Sequence, residues 1–279
     1  MKFLLGLFVF FLVATNVFGQ RDSWVGAGFF QIGFQGGKTE YEKMFYQMEP
    51  YYGNPYTGHP SDTNALSGES KAKEFSFNMQ FLGKHALFTF GMGYAGKRAL
   101  PGGLYSREYN LFNTRLAFGG YFGKYVGLYL GAQYNYNIVE FQGSLNSQQY
   151  PNYQFTQILG GNQRGLGAHL VLPLGEHLMI RGSYMYDWIF REHKRFKGLA
   201  KTPEVEIVVP FDEDKTFGFT FRVSMPKREM YDTYNPDEPQ LGFVPGTTFN
   251  SMYYQFSLIL PASIFGSYSQ TYTTVRVVE

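Results

Sequence analysis

Residues 126–138, VGLYLGAQYNYNI, carry two interleaved sets of side chains with opposite chemistry. The even positions, Val126, Leu128, Leu130, Ala132, Tyr134, Tyr136 and Ile138, are apolar with tyrosines towards one end. The odd ones, Gly127, Tyr129, Gly131, Gln133, Asn135 and Asn137, are mostly small or polar. A period of two is the signature of a β-strand whose two faces meet different surroundings. The stretch is 13 residues long, somewhat more than the roughly 9–11 that a tilted strand needs to cross the hydrocarbon core of a bilayer. Such a strand suits one stave of a transmembrane β-barrel, with lipid on one side and a polar interior on the other.

Residues 1–19 read as a cleavable signal peptide and are set apart from the fold. Lys2 supplies the positive start, 3–13 is an almost unbroken apolar run, and Val17 and Gly19 stand at the minus-three and minus-one positions before Gln20. A retained membrane helix would need about 20 apolar residues, and Thr15 and Asn16 interrupt the run too early. Loss of Lys2 takes the formal charge from +2 to +1, and near-neutrality excludes the clustered basic face of a nucleic-acid binder. The chain has no cysteine, which excludes disulfides, thiolate metal sites and a lipid anchor on cysteine. High glycine (33), tyrosine (23) and phenylalanine (29) counts with a slightly negative mean hydropathy fit a wall in which only every second residue meets lipid.

The same alternation predicts strands over 25–35, 72–82, 86–95, 110–122, 162–174, 178–190, 216–225 and 250–260. Tight connections at 83–85, 123–124 and 175–177 alternate with long ones at about 36–71, 96–109 and 139–161. Outer-membrane barrels have short periplasmic turns and long extracellular loops, so the long connections are expected to face outward. A weaker pattern at 204–211, with Val205, Ile207, Val209 and Phe211 alternating and Pro210 near its end, completes ten antiparallel up-and-down strands over 20–260. In that register 212–215 is a turn and 261–279 a periplasmic tail. A second ten-strand register makes 204–211 a loop and 268–278 the closing strand. A third stops at Met225 with eight.

Leader, period-two staves, alternating connection lengths and aromatic strand ends together resemble the small outer-membrane β-barrel proteins of Gram-negative bacteria. The resemblance is one of architecture and rests on no subfamily motif. It implies an all-β transmembrane barrel in the bacterial outer membrane, inserted by the barrel-assembly machinery and in contact with outer-membrane lipid and lipopolysaccharide. Such proteins commonly finish on an aromatic residue. This chain ends Val277-Val278-Glu279, a departure that leaves 261–279 as a tail or a closing strand.

The inward set comprises Glu74, Asn78, Gln80, Arg115, Gln133, Asn135, His169, Arg181, Asp187 and Arg222, joined by Glu204 and Glu206 if 204–211 is a strand. The interior of an eight- to ten-strand barrel is filled by side chains or holds something small, and buried charges there must be paired. The expectation is an interlocked arginine–carboxylate plug, with a narrow polar conduit for small solutes as the alternative. A surface protease or lipid-modifying enzyme is a third class. It would need a histidine beside a carboxylate or serine near the outer rim, and the candidates, Glu192 with His193 and His59 with Asp62, have no diagnostic spacing. Basic residues in 191–201 suit contact with anionic head groups.

The five histidines are scattered and form no ligand set, so no metal or cofactor is expected. The acids at 212–214 could hold calcium, although three acids in a turn are ordinarily just solvated. The first long loop is rich in Tyr, Pro and Gly, with Tyr46, Tyr51, Tyr52 and Tyr56. It is either a docking surface for a protein or glycan or an aromatic overhang at the lipid interface. A structural or binding role follows, as a free barrel or as a subunit of an envelope complex.

Overall fold

Alternating side chains build strands here because each backbone amide pairs with a neighbouring stave while the two faces sort lipid from lumen. The computed structural model describes residues 24–25, 27–46, 65–99, 105–123, 126–145, 153–191, 197–232 and 241–260. Its strands are β1 (Ala27–Tyr46), β2 (Ala65–Leu82), β3 (Ala86–Ala99), β4 (Tyr105–Phe122), β5 (Val126–Leu145), β6 (Tyr153–Pro173), β7 (Met179–Arg191), β8 (Lys197–Pro210), β9 (Gly218–Ser224), β10 (Lys227–Asp232) and β11 (Leu241–Leu260). Sequence neighbours pair antiparallel, except β9 and β10. β9 and β10 are two halves of one stave, since both lie between β8 and β11. β11 returns to β1, from Phe30 opposite Leu260 to Tyr46 opposite Leu241. The result is a closed barrel of ten staves.

Closure through β11 decides between the sequence registers. Residues 204–210 are a stave, so neither the eight-strand count nor a closing strand at 268–278 holds. Residues 261–279 themselves lie outside the described residues, as do 1–23. The stave broken between β9 and β10 owes its interruption to Pro226, which has no N–H to give to a ladder. Flanking bonds hold the two halves in line, with Met225 N donating to Pro203 O at 3.0 Å and Ser251 N to Pro226 O at 2.9 Å.

Much of what the sequence presents as long loop is strand. β1 and β2 stay paired out to Phe45 opposite Ala65, and β5 and β6 out to Leu145 opposite Tyr153. Alternation of apolar and polar residues marks only the part of a strand that meets lipid. Beyond it the outer face is polar too, as at Lys38, Glu40 and Glu69, so the pattern fades while the hydrogen-bond ladder continues.

The four tight turns gather at one end. Gly123 (φ 68°) and Gly175 (φ 89°) take the left-handed backbone that glycine accepts without strain, and Lys215 adopts it too (φ 56°). Asp212 caps the last turn, accepting from Thr216 N (2.9 Å), Thr216 Oγ1 (2.5 Å) and Phe217 N (2.8 Å). Burial works against its charged form, but these bonds outweigh it and hold the carboxyl below the usual aspartate range. Its oxygens are thereby committed to the turn.

Candidate functional site

The barrel is inside out compared with a water-soluble core. Phe34, Phe118, Phe122, Leu130 and Leu166 stand 60–71 % exposed on the outer face, while Gln31, Gln80, Arg115, Arg181, Asp187, Glu204 and Glu206 are buried within. An apolar exterior this extensive has no place in water. The chain is a closed ten-stave β-barrel with the apolar exterior of a membrane-spanning one.

No family model matches the barrel, and no curated protein does. Among solved structures it is similar to the outer membrane protease OmpT from Escherichia coli, with 11% identity over 83% of this chain and 94% of that one and a TM-score of 0.35. It is similar also to Ail, the attachment invasion locus protein of Yersinia pestis (10% identity, 85% and 99% covered, TM-score 0.34). The translocator domain of the autotransporter NalP from Neisseria meningitidis is a third such structure (10% identity, 82% and 87% covered, TM-score 0.40).

At mid-height three arginines and two glutamates span the lumen. Arg115 of β4 holds Glu204 of β8 with two bonds, Nη1 to Oε1 at 2.9 Å and Nη2 to Oε2 at 3.2 Å. Glu206 lies two residues along the same stave, hence on the same face. It sits between Arg222 of β9, whose Nη2 donates to Oε1 at 2.7 Å, and Arg181 of β7, whose Nη2 lies 2.7 Å from Oε2. Gln80 reaches in from β2. Its Nε2 donates to Glu206 (3.2 and 3.3 Å) and to Gln31 Oε1 (3.2 Å), and its Oε1 accepts from Arg181 Nη1 at 2.6 Å. Arg222 also bonds Gln255, whose Nε2 donates to Ser76 Oγ (2.8 Å) and Ser257 Oγ (3.0 Å). Opposite walls are thus braced through charges that burial would make costly alone.

Towards the tight-turn end the inward residues become apolar. Phe29, Leu87, Tyr129, Val171, Met179, Val208 and Ile259 form a fully buried layer. Trp24, 0 % exposed, closes it from the N-terminal side and donates from Nε1 to Gly175 O at 2.7 Å. Lys215 Nζ stands 5.1 Å from its ring centroid, and Tyr129 Oη donates to Gly83 O at 3.0 Å. The Trp24 segment is therefore tied to the β6–β7 turn and faces the β8–β9 turn.

On the other side of the brace the lumen widens into a polar cup of about 140 Å³. Glu74, Asn78, Gln133, Asn135, Asp187, Arg228 and Tyr253 line it. Glu74 accepts from Gln35 Nε2 at 3.1 Å and lies over Gly93 of β3, where a Cβ would collide with its Oε1. Likewise Gln133 donates to Asp187 across Gly165 of the intervening β6. Glycine beneath the Gln133–Asp187 bridge lets a polar side chain cross a whole stave, whereas Gln35 and Glu74 are direct neighbours on β1 and β2.

Every residue of the expected inward set faces the lumen. Arg115, Arg181, Arg222 and Gln80 enter the brace with Glu204 and Glu206, while Glu74, Asn78, Gln133, Asn135 and Asp187 line the cup. His169 stands apart, its Nδ1 2.9 Å from Ser183 Oγ. This histidine–serine pair has the spacing of a nucleophile and its base, yet both residues are buried and neither lines the cup. His59, Asp62, Glu192, His193, Tyr51, Tyr52 and Tyr56 lie outside the described residues. Tyr46 ends β1, with its side chain likewise undescribed. Among the described residues no group of three His, Cys, Asp or Glu could hold a metal. Sequence reasoning missed Gln31, Gln255 and Ser257 in the brace and the whole apolar layer. Its signal was present: at the tight-turn ends alternation collapses into runs such as LVLPL and IVVPF, where lumen and lipid faces are both apolar.

Proposed function

We propose that the protein is a surface-exposed, non-conducting barrel of a bacterial outer membrane, exported by means of a cleaved leader at residues 1–19. It works by binding at its outer end, alone or as the barrel subunit of a larger envelope complex. One observation carries this reading: the lumen is closed twice, by the charged brace and by the apolar layer capped with Trp24, leaving a polar cup on the side of the longer connections. A dead-ended cup receives or docks; it does not transport. The paired extension of β11, β1 and β2 supports the outer end as the working end, because it carries the tyrosine-rich connection between Tyr46 and Ala65 on a three-stranded arm beyond the lipid.

Affinity purification from native outer membranes in mild detergent tests it. A stoichiometric envelope protein is expected with the intact chain and lost when residues 47–60 are deleted, while the deleted variant still migrates as a heat-modifiable folded barrel. Equal recovery of that protein with both forms would remove the arm from the binding surface.

A further inference from the structure

The polar cup beyond the brace carries a row of carboxamides. Asn78 of β2 stands opposite Gly91 of β3, Gly91 opposite Asn113 of β4, Asn113 opposite Asn135 of β5, and Asn135 opposite Gln163 of β6. All of them line the cup. A Cβ on Gly91 would stand 2.5 Å from Asn78 Oδ1, so the Asn78 amide leans over β3. One level nearer the tight turns, a second row runs from Arg115 through Gln133, Gly165 and Asp187 to Ala200 and Arg228. The outer row is uncharged, and the charged groups sit in the inner one.

Several polar atoms of these rows are unmet. Gln133 Oε1, Asn135 Oδ1 and Asp187 Oδ1 are buried without a hydrogen-bond partner among the described residues, and so is Arg115 Nε. Gln133 is 6 % and Asp187 1 % exposed, and atoms so placed are costly to leave unpaired. Acceptors and a donor are therefore wanting together. Around the cup Glu74, Asp187 and Glu204 face Arg115, Arg222 and Arg228, so a charged ligand finds no excess of the opposite sign. An apolar ligand would strand the unpaired oxygens. A hydroxyl both donates and accepts, as a carboxamide does, and a ligand bearing several hydroxyls matches the row. The volume of about 140 Å³ is close to the cavity of about 150 Å³ that holds one benzene ring, which sets the ligand at one six-membered ring.

We propose that the row from Asn78 to Gln163, with Gln133 and Asp187 beside it, binds one pyranose ring of a neutral saccharide. The inference rests on the reading of the cup as the dead-ended receiving side of the barrel and names the class of ligand received there. Asn113 and Asn135 stand in the middle of the row and neither belongs to the brace, so they are the residues that read the hydroxyls. Asn162, next to Gln163 on β6, alternates to the outer face opposite Tyr136 of β5 and does not line the cup. It has the same side chain without access to the ligand.

The full-length barrel in an amine-oxide detergent, which has no sugar head group, is titrated with D-glucose, D-galactose and N-acetyl-D-glucosamine, and binding is followed by ligand-observed saturation-transfer NMR. Cyclohexanol, cyclohexylammonium and benzoate are controls of the same ring size with one hydroxyl, a positive charge and a negative charge. At least one sugar is expected to bind saturably, about tenfold or more tighter than every control, because only it meets the several unpaired groups at once. Asn113→Ala/Asn135→Ala is expected to weaken that sugar about twenty-fivefold, two neutral hydrogen bonds of about fivefold each, whereas Asn162→Ala changes it by less than about threefold, having no bond to the ligand to lose. Absence of saturable binding by all three sugars, which is the result if water alone fills the cup, would overturn the site. So would a control that binds as tightly as the sugars, or equal losses in the two variants. The comparison of sugars with controls uses the wild-type protein, so it decides the matter even where the double variant fails to fold. Steady conductance in a planar bilayer would overturn the sealed barrel instead, and a silent, folded barrel that ignores all three sugars overturns the ring site alone.

Discussion

At Glu206 two guanidinium groups converge on one carboxylate that has none of its surface exposed. Removing one partner of a buried ion pair costs about 3–5 kcal/mol, because the charge left behind is uncompensated. Glu206→Gln keeps the shape but leaves Arg181 and Arg222 relying on Glu204, at 3.8 and 3.6 Å. Urea unfolding in lipid vesicles, followed by tryptophan fluorescence, is expected to show a loss of that order with the barrel still able to form. Unchanged stability would mean that water reaches the brace and screens it. This residue also marks where sequence reading reaches its limit. Glu204 and Glu206 enter the lumen only if their stave exists, and Pro203 and Pro210 weaken its pattern. Arg115, Arg181 and Arg222 alternate cleanly and are legible as inward-facing. What each arginine holds is not, since the partner lies across the barrel and no local spacing encodes it.

Staves were legible wherever lipid touches them. The stretch 126–138 shows the whole rule: Leu128 and Leu130 are exposed to the membrane side, while Tyr129 and Gln133 are buried in the lumen. Above the membrane the rule has no force, which is why β1, β2, β5 and β6 run several residues past the alternating segments. At the tight-turn end it fails for the opposite reason, since Val171, Val208 and Ile259 are as apolar as their lipid-facing neighbours. The closing stave was ambiguous because 268–278 has strand-like composition of its own, and only the pairing of Phe30 with Leu260 removes the ambiguity. A chain ending at Leu260 is therefore expected to refold in detergent micelles into the same heat-modifiable form as the intact chain. Loss of that form on truncation would show that residues 261–279 complete the wall.

For the whole molecule the decisive property is closure. A barrel of this size has just enough interior for its own side chains, and this one fills it in two chemically different ways. The brace suits a polar lumen because both glutamates are held by arginines, and the apolar layer excludes water at the tight-turn mouth. The cup and the three-stranded arm of β11, β1 and β2 lie on the far side of that seal, towards the longer connections. The molecule's chemistry is thus concentrated on one side of the membrane. Electrical conductance measures this most directly. Purified protein inserted in a planar lipid bilayer is expected to leave the current at baseline apart from rare, small openings, and steady, solute-permeable conductance from the wild-type protein would contradict the sealed barrel.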